Sequence, residues 1–118
     1  MLLSLPSSVR IWLAVGATDL RKGFDTLAEL VRRQLGADPL SGQLFVFRNK
    51  RGDRIKLLYW DEDGYVIIYK RLEAGTFAFP QADGGGVEIR AADLQMLLDG
   101  VEWEKVQRRR RYRRPVPA

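Results

Sequence analysis

The first residues of this chain whose spacing could do chemistry are three consecutive carboxylates, Asp61, Glu62 and Asp63. Neighbouring carboxylates can hold a divalent cation or split their pKa values. A calcium-binding loop in this register would need Gly at position 66 and Glu at position 72, where the chain has Val and Leu. Asp and Gly are also the residues that tight turns require. The pattern therefore predicts a hairpin turn and no metal site.

The chain of 118 residues contains no His and no Cys. It therefore cannot use a thiol or imidazole catalyst, a disulfide framework or a zinc site of the usual ligand types. An enzyme would have to work with carboxylates, hydroxyls and lysines. We expect no enzyme activity and no cofactor. A metal-dependent nuclease is kept as a third hypothesis, with these candidate carboxylates: Asp19, Asp25, Asp53, Asp61 and Asp63.

A basic segment lies in the middle of the chain. Only Asp53 opposes five cations, which are Arg48, Lys50, Arg51, Arg54 and Lys56. A basic hairpin tip can enter a groove of DNA or straddle its phosphate backbone. The alternative is a solvated loop that protects the sheet against edge-to-edge pairing. Both interpretations stay open on the sequence.

A second basic segment ends the chain. The formal net charge is +5, yet the first 104 residues carry 13 basic and 15 acidic residues. The excess lies in Lys105 and in Arg108, Arg109, Arg110, Arg111, Arg113 and Arg114. We expect one α+β domain over residues 1–104 and an arginine-rich tail over 105–118, disordered when unbound, that contacts nucleic acid or another anionic partner.

Hydrophobic periodicity predicts the elements that must position these cations. The fold class is α+β: an antiparallel β-meander of about four to six strands against one amphipathic helix, plus a short C-terminal helix and the disordered basic tail. The first predicted elements are a strand over Val9–Val15 and a helix over Asp19–Leu35 that Gly36 ends. Three strands follow, with the sequences LFVFR, DRIKLLYW and YVIIYKRL. The remaining elements are edge strands over Thr76–Phe79 and Val87–Arg90, a flexible Gly84–Gly86 loop between them, and a second helix marked by Leu94 to Val101.

Alternation along the meander predicts two unlike sheet faces. If the DEDG turn pairs Trp60 with Tyr65 and the NKRG turn pairs residues whose numbers sum to 101, one face is aliphatic and would receive the long helix. The other carries Phe45, Phe47, Arg54, Lys56, Leu58, Trp60, Tyr65, Ile67, Tyr69 and Arg71. Exposed, that face could stack bases and neutralise phosphates. The alternative is that the second helix covers its aromatic residues.

Three segments resemble one known family. They are TDLRKGFDTLAELV, LFVFRNKRGDRIKLLYWDEDGYVIIYKRLEAGTF and AADLQMLLDGVEW. These segments resemble the TnpB accessory proteins of insertion sequence 66 family transposable elements. Those proteins are distinct from the RNA-guided nuclease that shares the name TnpB. The resemblance implies a bacterial protein that assists a separate transposase and has no established catalytic residues. The matching positions include Asp19, Arg21, Lys22 and Asp25, which are candidates for interaction or for structural ion pairs, together with Phe24, Arg48, Asn49, Gly52, Asp53, Trp60, Tyr69, Lys70 and Arg71. Departures at Leu20 and around Val66–Ile68 look like packing variation.

The first hypothesis is therefore a non-enzymatic transposition accessory protein that binds DNA at the element ends, the partner transposase, or both. The second is an adaptor that docks on the transposase through its aromatic face without touching DNA. Pro6 and Arg10 interrupt the apolar N-terminal run, so we expect no signal peptide, no membrane span and a cytoplasmic protein. No small-molecule substrate is expected.

Overall fold

The computed structural model describes residues 5–6, 8–80 and 84–99. Five strands form one mixed sheet in the order β4-β3-β2-β1-β5, and a helix lies on each side of it. The elements are β1 Ile11–Ala14, α1 Phe24–Leu35, β2 Leu44–Arg48, β3 Arg54–Asp61, β4 Gly64–Arg71, β5 Gly86–Ile89 and α2 Ala91–Leu98. The predicted α+β class is confirmed. The sheet is mixed because β1 runs parallel to β2, whereas the other three strand pairs of the sheet are antiparallel.

The helix α1 starts later than the sequence pattern predicts. The pattern starts the helix at Asp19, but the Asp19 carboxylate accepts the Arg21 N–H at 3.0 Å in a separate turn. The N-cap is Gly23, in an extended conformation. The predicted end is confirmed, because Gly36 adopts the left-handed conformation with φ 60°, which glycine tolerates best.

The predicted register of one hairpin is confirmed and that of the other is off by two residues. Trp60 pairs with Tyr65 across β3 and β4. Phe45 pairs with Leu58 across β2 and β3, so the pair numbers sum to 103 rather than 101. The cause is a longer connection, because the Arg54 N–H donates to Asn49 Oδ1 at 3.0 Å and the strand begins only there. A shift of two residues leaves every side chain on its predicted face.

Both faces of the sheet are covered, and the helices are exchanged relative to the prediction. The aromatic face packs under α1, where Phe45, Phe47 and Leu58 are buried with Leu27 and Val31. The aliphatic face packs under α2, which contributes Leu94, Leu97 and Leu98. The prediction that α1 meets the aliphatic face is wrong, and so is the alternative that α2 covers the aromatic one. Alternation identifies a face but does not say which helix covers it.

The segment after β4 differs from its predicted structure. Thr76–Phe79 is not a strand; Phe77 is buried and its N–H donates to Gly52 O at 2.7 Å, which ties this segment to the β2–β3 connection. The second predicted edge strand is confirmed as β5. Gly85 is packed rather than free, because its carbonyl accepts from the Val15 N–H and from Gln34 Nε2, each at 3.0 Å.

The helix α2 begins three residues before the apolar residues that predicted it. Asp93 is buried and accepts the Arg90 N–H at 3.2 Å, which satisfies a backbone donor at the helix start. The rest of the second predicted helix, Trp103 and the arginine-rich tail lie outside the described residues. Within the described part, neither helix is long and apolar enough to cross a bilayer.

Candidate nucleic-acid interface

Two segments that are distant in the sequence meet at one end of the sheet. The Thr18 N–H donates to Arg48 O at 2.8 Å, which brings the segment before α1 against the β2–β3 connection. Between them lies an open groove of about 430 Å³. Its lining combines the TDLR motif and the residue before it, five residues of the NKRGDR motif, and one residue of β4: Ala17, Thr18, Asp19, Leu20, Arg21, Asn49, Lys50, Arg51, Asp53, Arg54 and Tyr69.

The β2–β3 connection is held by its own polar groups. Asn49 Nδ2 donates to Asp53 Oδ1 at 2.8 Å, and the Gly52 N–H donates to Asn49 O at 3.1 Å. Gly52 has φ 78°, a conformation that suits glycine. The hydrogen bond from Asn49 lowers the pKa of Asp53. Lys50 and Arg51 are exposed at the tip of this connection, and neither forms an ion pair with another described residue.

The opposite wall of the groove is a compact turn. The Asp19 carboxylate accepts from the Arg21 guanidinium, with an Oδ2 to Nη2 distance of 2.9 Å. This hydrogen bond, with that of the Arg21 backbone N–H, holds the pKa of Asp19 at about 2. The Arg21 side chain is 92% exposed. Because only part of its fork is engaged, the guanidinium keeps donors for a further ligand.

Tyr69 stands between two cations at the base of the groove. Arg54 Nη1 donates to Tyr69 Oη at 3.2 Å, and Lys56 Nζ lies 4.9 Å from the ring centroid. Lys56 is itself anchored, because its Nζ donates to Lys22 O at 3.0 Å. Tyr69 is nevertheless 49% exposed. An aromatic ring fixed by cations and open to solvent is suited to stack on a base.

Two other predicted residues of this sheet face have different surroundings. Arg71 lines a smaller depression with Arg54 and Tyr69 and pairs with Glu73 at 2.9 Å. Trp60 packs edge to face against Tyr65, with 5.1 Å between ring centroids. It lies six residues along β3 from Arg54 and four from Lys56, the partner of Tyr69, which places it about 13 Å from the nearest residue of the groove. Trp60 is therefore not part of the groove.

Arg48 points to the opposite side of the sheet. Its Nη1 donates to Phe77 O at 2.8 Å, and its guanidinium lies 4.8 Å from the Phe79 ring centroid. Burial lowers its pKa, and its Nε lacks a partner among the described residues. The sequence pattern groups Arg48 with the basic hairpin, but the structure separates it from the groove because Arg48 shares the strand face of Val46 and Ile55.

The other candidates are dispersed. Asp25 is exposed in the first turn of α1, and Lys22 contributes its backbone carbonyl to Lys56. The arginines from Arg108 to Arg114 lie outside the described residues. No group of three or more carboxylates is positioned to hold a metal ion within the described ranges. Sequence reasoning missed the connecting roles of Thr18 and Asn49, whose residue types signal only turns and caps.

Comparisons with known proteins show the family of this chain. The family model described as IS66 Orf2 like protein matches residues 9–108. The uncharacterized protein y4hO of Sinorhizobium fredii is 44% identical over 105 residues, 87% of this chain and 91% of the relative. The uncharacterized protein y4jC of the same organism is 39% identical over 101 residues, 86% of each chain. No solved structure matches. The family match spans both walls of the groove, and the chain therefore belongs to the IS66 Orf2 family, the accessory proteins of IS66 transposition.

Proposed function

We propose that this protein assists transposition by binding DNA, and that the groove between the TDLR turn and the NKRGDR connection is the contact surface. The observation that carries the proposal is the convergence of four cations and one half-exposed ring on a single open groove. Arg21, Lys50, Arg51 and Arg54 line it together with Tyr69. Cations bind phosphates without regard to sequence, and an aromatic ring can stack on an unpaired base.

The two carboxylates in the groove do not cancel its positive character. Asp19 is engaged by Arg21, and Asp53 accepts from Asn49. Each therefore orients a neighbour instead of standing free to repel a phosphate. With four cations and two acids, the lining of the groove has a net positive charge, which suits an anionic ligand.

We propose a binding role without a catalytic step. The nuclease hypothesis needs carboxylates from separate elements to converge on shared metal ions. Asp53 precedes β3 and Asp61 ends it, which separates them by about 25 Å in an extended strand. Asp19 and Asp53 are the two candidate carboxylates that share the groove, and both are engaged as described. This separation supports an accessory protein that acts through binding.

The helix α1 covers part of the face that the adaptor hypothesis uses. It buries Phe45, Phe47 and Leu58, whereas Tyr69 on the same face stays 49% exposed. Family membership supports the transposase of the same element as a protein partner. We propose that this partner acts together with DNA in the cytoplasm, and that the arginines of residues 108–114 add phosphate contacts to those of the groove.

The salt dependence of DNA binding tests this proposal. A double variant with Lys50→Ala and Arg51→Ala removes two exposed cations from the groove. The matched control is Arg32→Ala with Arg33→Ala, which removes the same charge from the last turn of α1. If both groove residues contact phosphates, the slope of log affinity against log salt decreases in size by about 1.8, since each contact on duplex DNA contributes about 0.9.

The control variant should keep the slope of the wild-type protein. Equal slopes in all three proteins would refute the groove as the DNA contact. Equal losses in both double variants would show that binding follows net charge alone. The adaptor hypothesis would be favoured if the wild-type protein did not bind DNA and bound the transposase with an affinity that does not depend on salt.

A further inference from the structure

The outer edge of β4 is a long backbone surface that no described strand covers. β4 has eight residues, whereas β5 at the opposite edge of the sheet has four. An uncovered strand edge presents unpaired N–H and C=O groups that can pair with another strand.

The hydrogen-bonding direction along β4 follows from its pairing with β3. Asp61 and Gly64 close a two-residue turn, and the Leu72 N–H donates to Asp53 O at 2.8 Å just beyond the other end. In an antiparallel pair, alternate residues point their backbone groups at the partner. The even-numbered residues of β4 therefore face β3. The odd-numbered ones, Tyr65, Ile67, Tyr69 and Arg71, direct N–H and C=O outward.

The middle of this edge lacks the usual protection. Exposed edges normally carry a charge, a proline or a bulge that prevents pairing. The five residues Tyr65–Tyr69, YVIIY, carry no charge and no proline, and they pair with β3 without interruption. Ile67 and Ile68 lie on opposite faces and are only partly buried. A strand added here would extend both apolar layers.

The charges at the two ends of β4 are opposite. Asp61, Glu62 and Asp63 are exposed at one end and form no ion pair among the described residues. Lys70 and Arg71 lie at the other end. A strand with an acidic start, an apolar middle and a basic end is complementary to a second copy of itself in antiparallel orientation.

We propose that two copies of this chain pair along β4 about a two-fold axis at Ile67. The outward backbone groups of Tyr65 and Tyr69 then meet across the axis, and Arg71 of each copy lies opposite Asp63 of the other. The Arg71 guanidinium exchanges its exposed pair with Glu73 for this contact. The result is a ten-stranded sheet that presents both basic grooves on the same side. The pairing is independent of DNA binding.

Charge reversal with the full chain tests the pairing. We expect sedimentation velocity to show a monomer–dimer equilibrium for the wild type, without DNA. Asp63→Arg and Arg71→Asp each place like charges face to face at two symmetric positions. Either change should raise the dimer dissociation constant about tenfold or more, since each exposed ion pair contributes a factor of about two to five and repulsion adds to it. Mixing the two variants should restore a dimer of wild-type affinity, because both contacts are then complementary.

The mixture also controls for folding, since misfolded variants would not recover affinity together. A wild type that stays monomeric at all concentrations would overturn the proposal. A dimer that neither variant weakens would do the same, because it would use another surface.

Amide hydrogen exchange locates the interface on the strand. In the dimer, the outward amides of Ile67 and Tyr69 should exchange at least tenfold more slowly than in the monomer. Those of Val66 and Ile68, which already bond to β3, should change little. Unprotected outward amides in the dimer would contradict pairing at β4. Equal protection in the monomer would show that the chain covers its own edge, which would also overturn the proposal.

Discussion

Arg48 and Arg54 flank the same short connection, yet strand parity gives them different chemistry. Arg48 shares a face with Val46 and Ile55 and donates to the Phe77 carbonyl at 2.8 Å. Arg54 lies on the other face, where its Nη1 donates to Tyr69 Oη and lines the groove. A guanidinium that is committed to a buried carbonyl stabilises the fold, whereas one beside an open groove is available to a ligand.

Replacing Arg48 should therefore affect stability and not DNA affinity. We expect Arg48→Ala to lower the free energy of unfolding by roughly 1–3 kcal/mol, because the Phe77 carbonyl loses its donor and the Phe79 ring loses its packed guanidinium. Urea unfolding measures this loss. Lys50→Ala is the control and should change the stability by less than about 0.5 kcal/mol. A stable Arg48→Ala protein with weakened DNA binding would reverse the assignment.

The pH behaviour of Asp19 tests the turn that forms the other wall. Its folded pKa is about 2, below the ordinary value of 3.8. Because its pKa is lowered on folding, the charged Asp19 carboxylate stabilises the folded state. This stabilisation is complete above about pH 4 and is lost as the pH falls towards 2. An NMR titration should give the Asp19 carboxyl a midpoint near 2. In the Arg21→Ala protein the midpoint should move up towards 3.8. A wild-type midpoint at the ordinary value would show that the pair does not form.

At the scale of elements, α1 is fixed to the sheet through a close backbone contact near its C-terminal end. Gln34 Nε2 donates to both Val15 O and Gly85 O, which joins the helix to β1 and to the start of β5. A Cβ on Gly85 would overlap the Gln34 carbonyl. Glycine is therefore required here for packing, because the backbone of α1 can approach the chain before β5 this closely only where there is no side chain.

This contact predicts a large effect for a small substitution. Gly85→Ala should lower the free energy of unfolding by roughly 1–3 kcal/mol or more, as expected for overpacking against backbone that cannot move aside. Gly64→Ala is the matched control, since nothing lies within 4 Å of its added Cβ and its φ is not positive. Thermal unfolding of the two proteins compares them. Equal stabilities would show that the helix does not approach the sheet this closely.

At the scale of the whole molecule, the sequence predicts the faces of the sheet better than the arrangement around it. Alternation assigns Phe45 and Leu58 to one face and Val46 and Leu57 to the other, and the structure confirms both. It does not distinguish a parallel from an antiparallel neighbour, so the pairing of β1 with β2 was unforeseen. Nor does it say which helix covers which face, because both helices present an apolar stripe.

The sequence predicts part of the candidate site, because local clusters and strand alternation are visible in it, but not the long-range contact that completes the site. The cations Lys50, Arg51 and Arg54 were visible as a cluster in the sequence, and Tyr69 was placed on their side of the sheet. Their meeting with Arg21 depends on a long-range backbone contact, from the Thr18 N–H to Arg48 O. Such contacts leave no local pattern in residue type. Within the sequence, only the family resemblance links the two motifs.

NMR shift mapping on the folded protein tests whether the groove binds DNA. Backbone amide shifts of the ¹⁵N-labelled full chain would be followed by NMR while duplex DNA from an element end is added at low salt. We predict the largest changes at Arg21, Lys50, Arg51, Arg54 and Tyr69, with Arg32 and Arg33 little affected. Changes confined to other surfaces, with the groove residues unmoved at saturation, would contradict the assignment of this groove as the DNA contact.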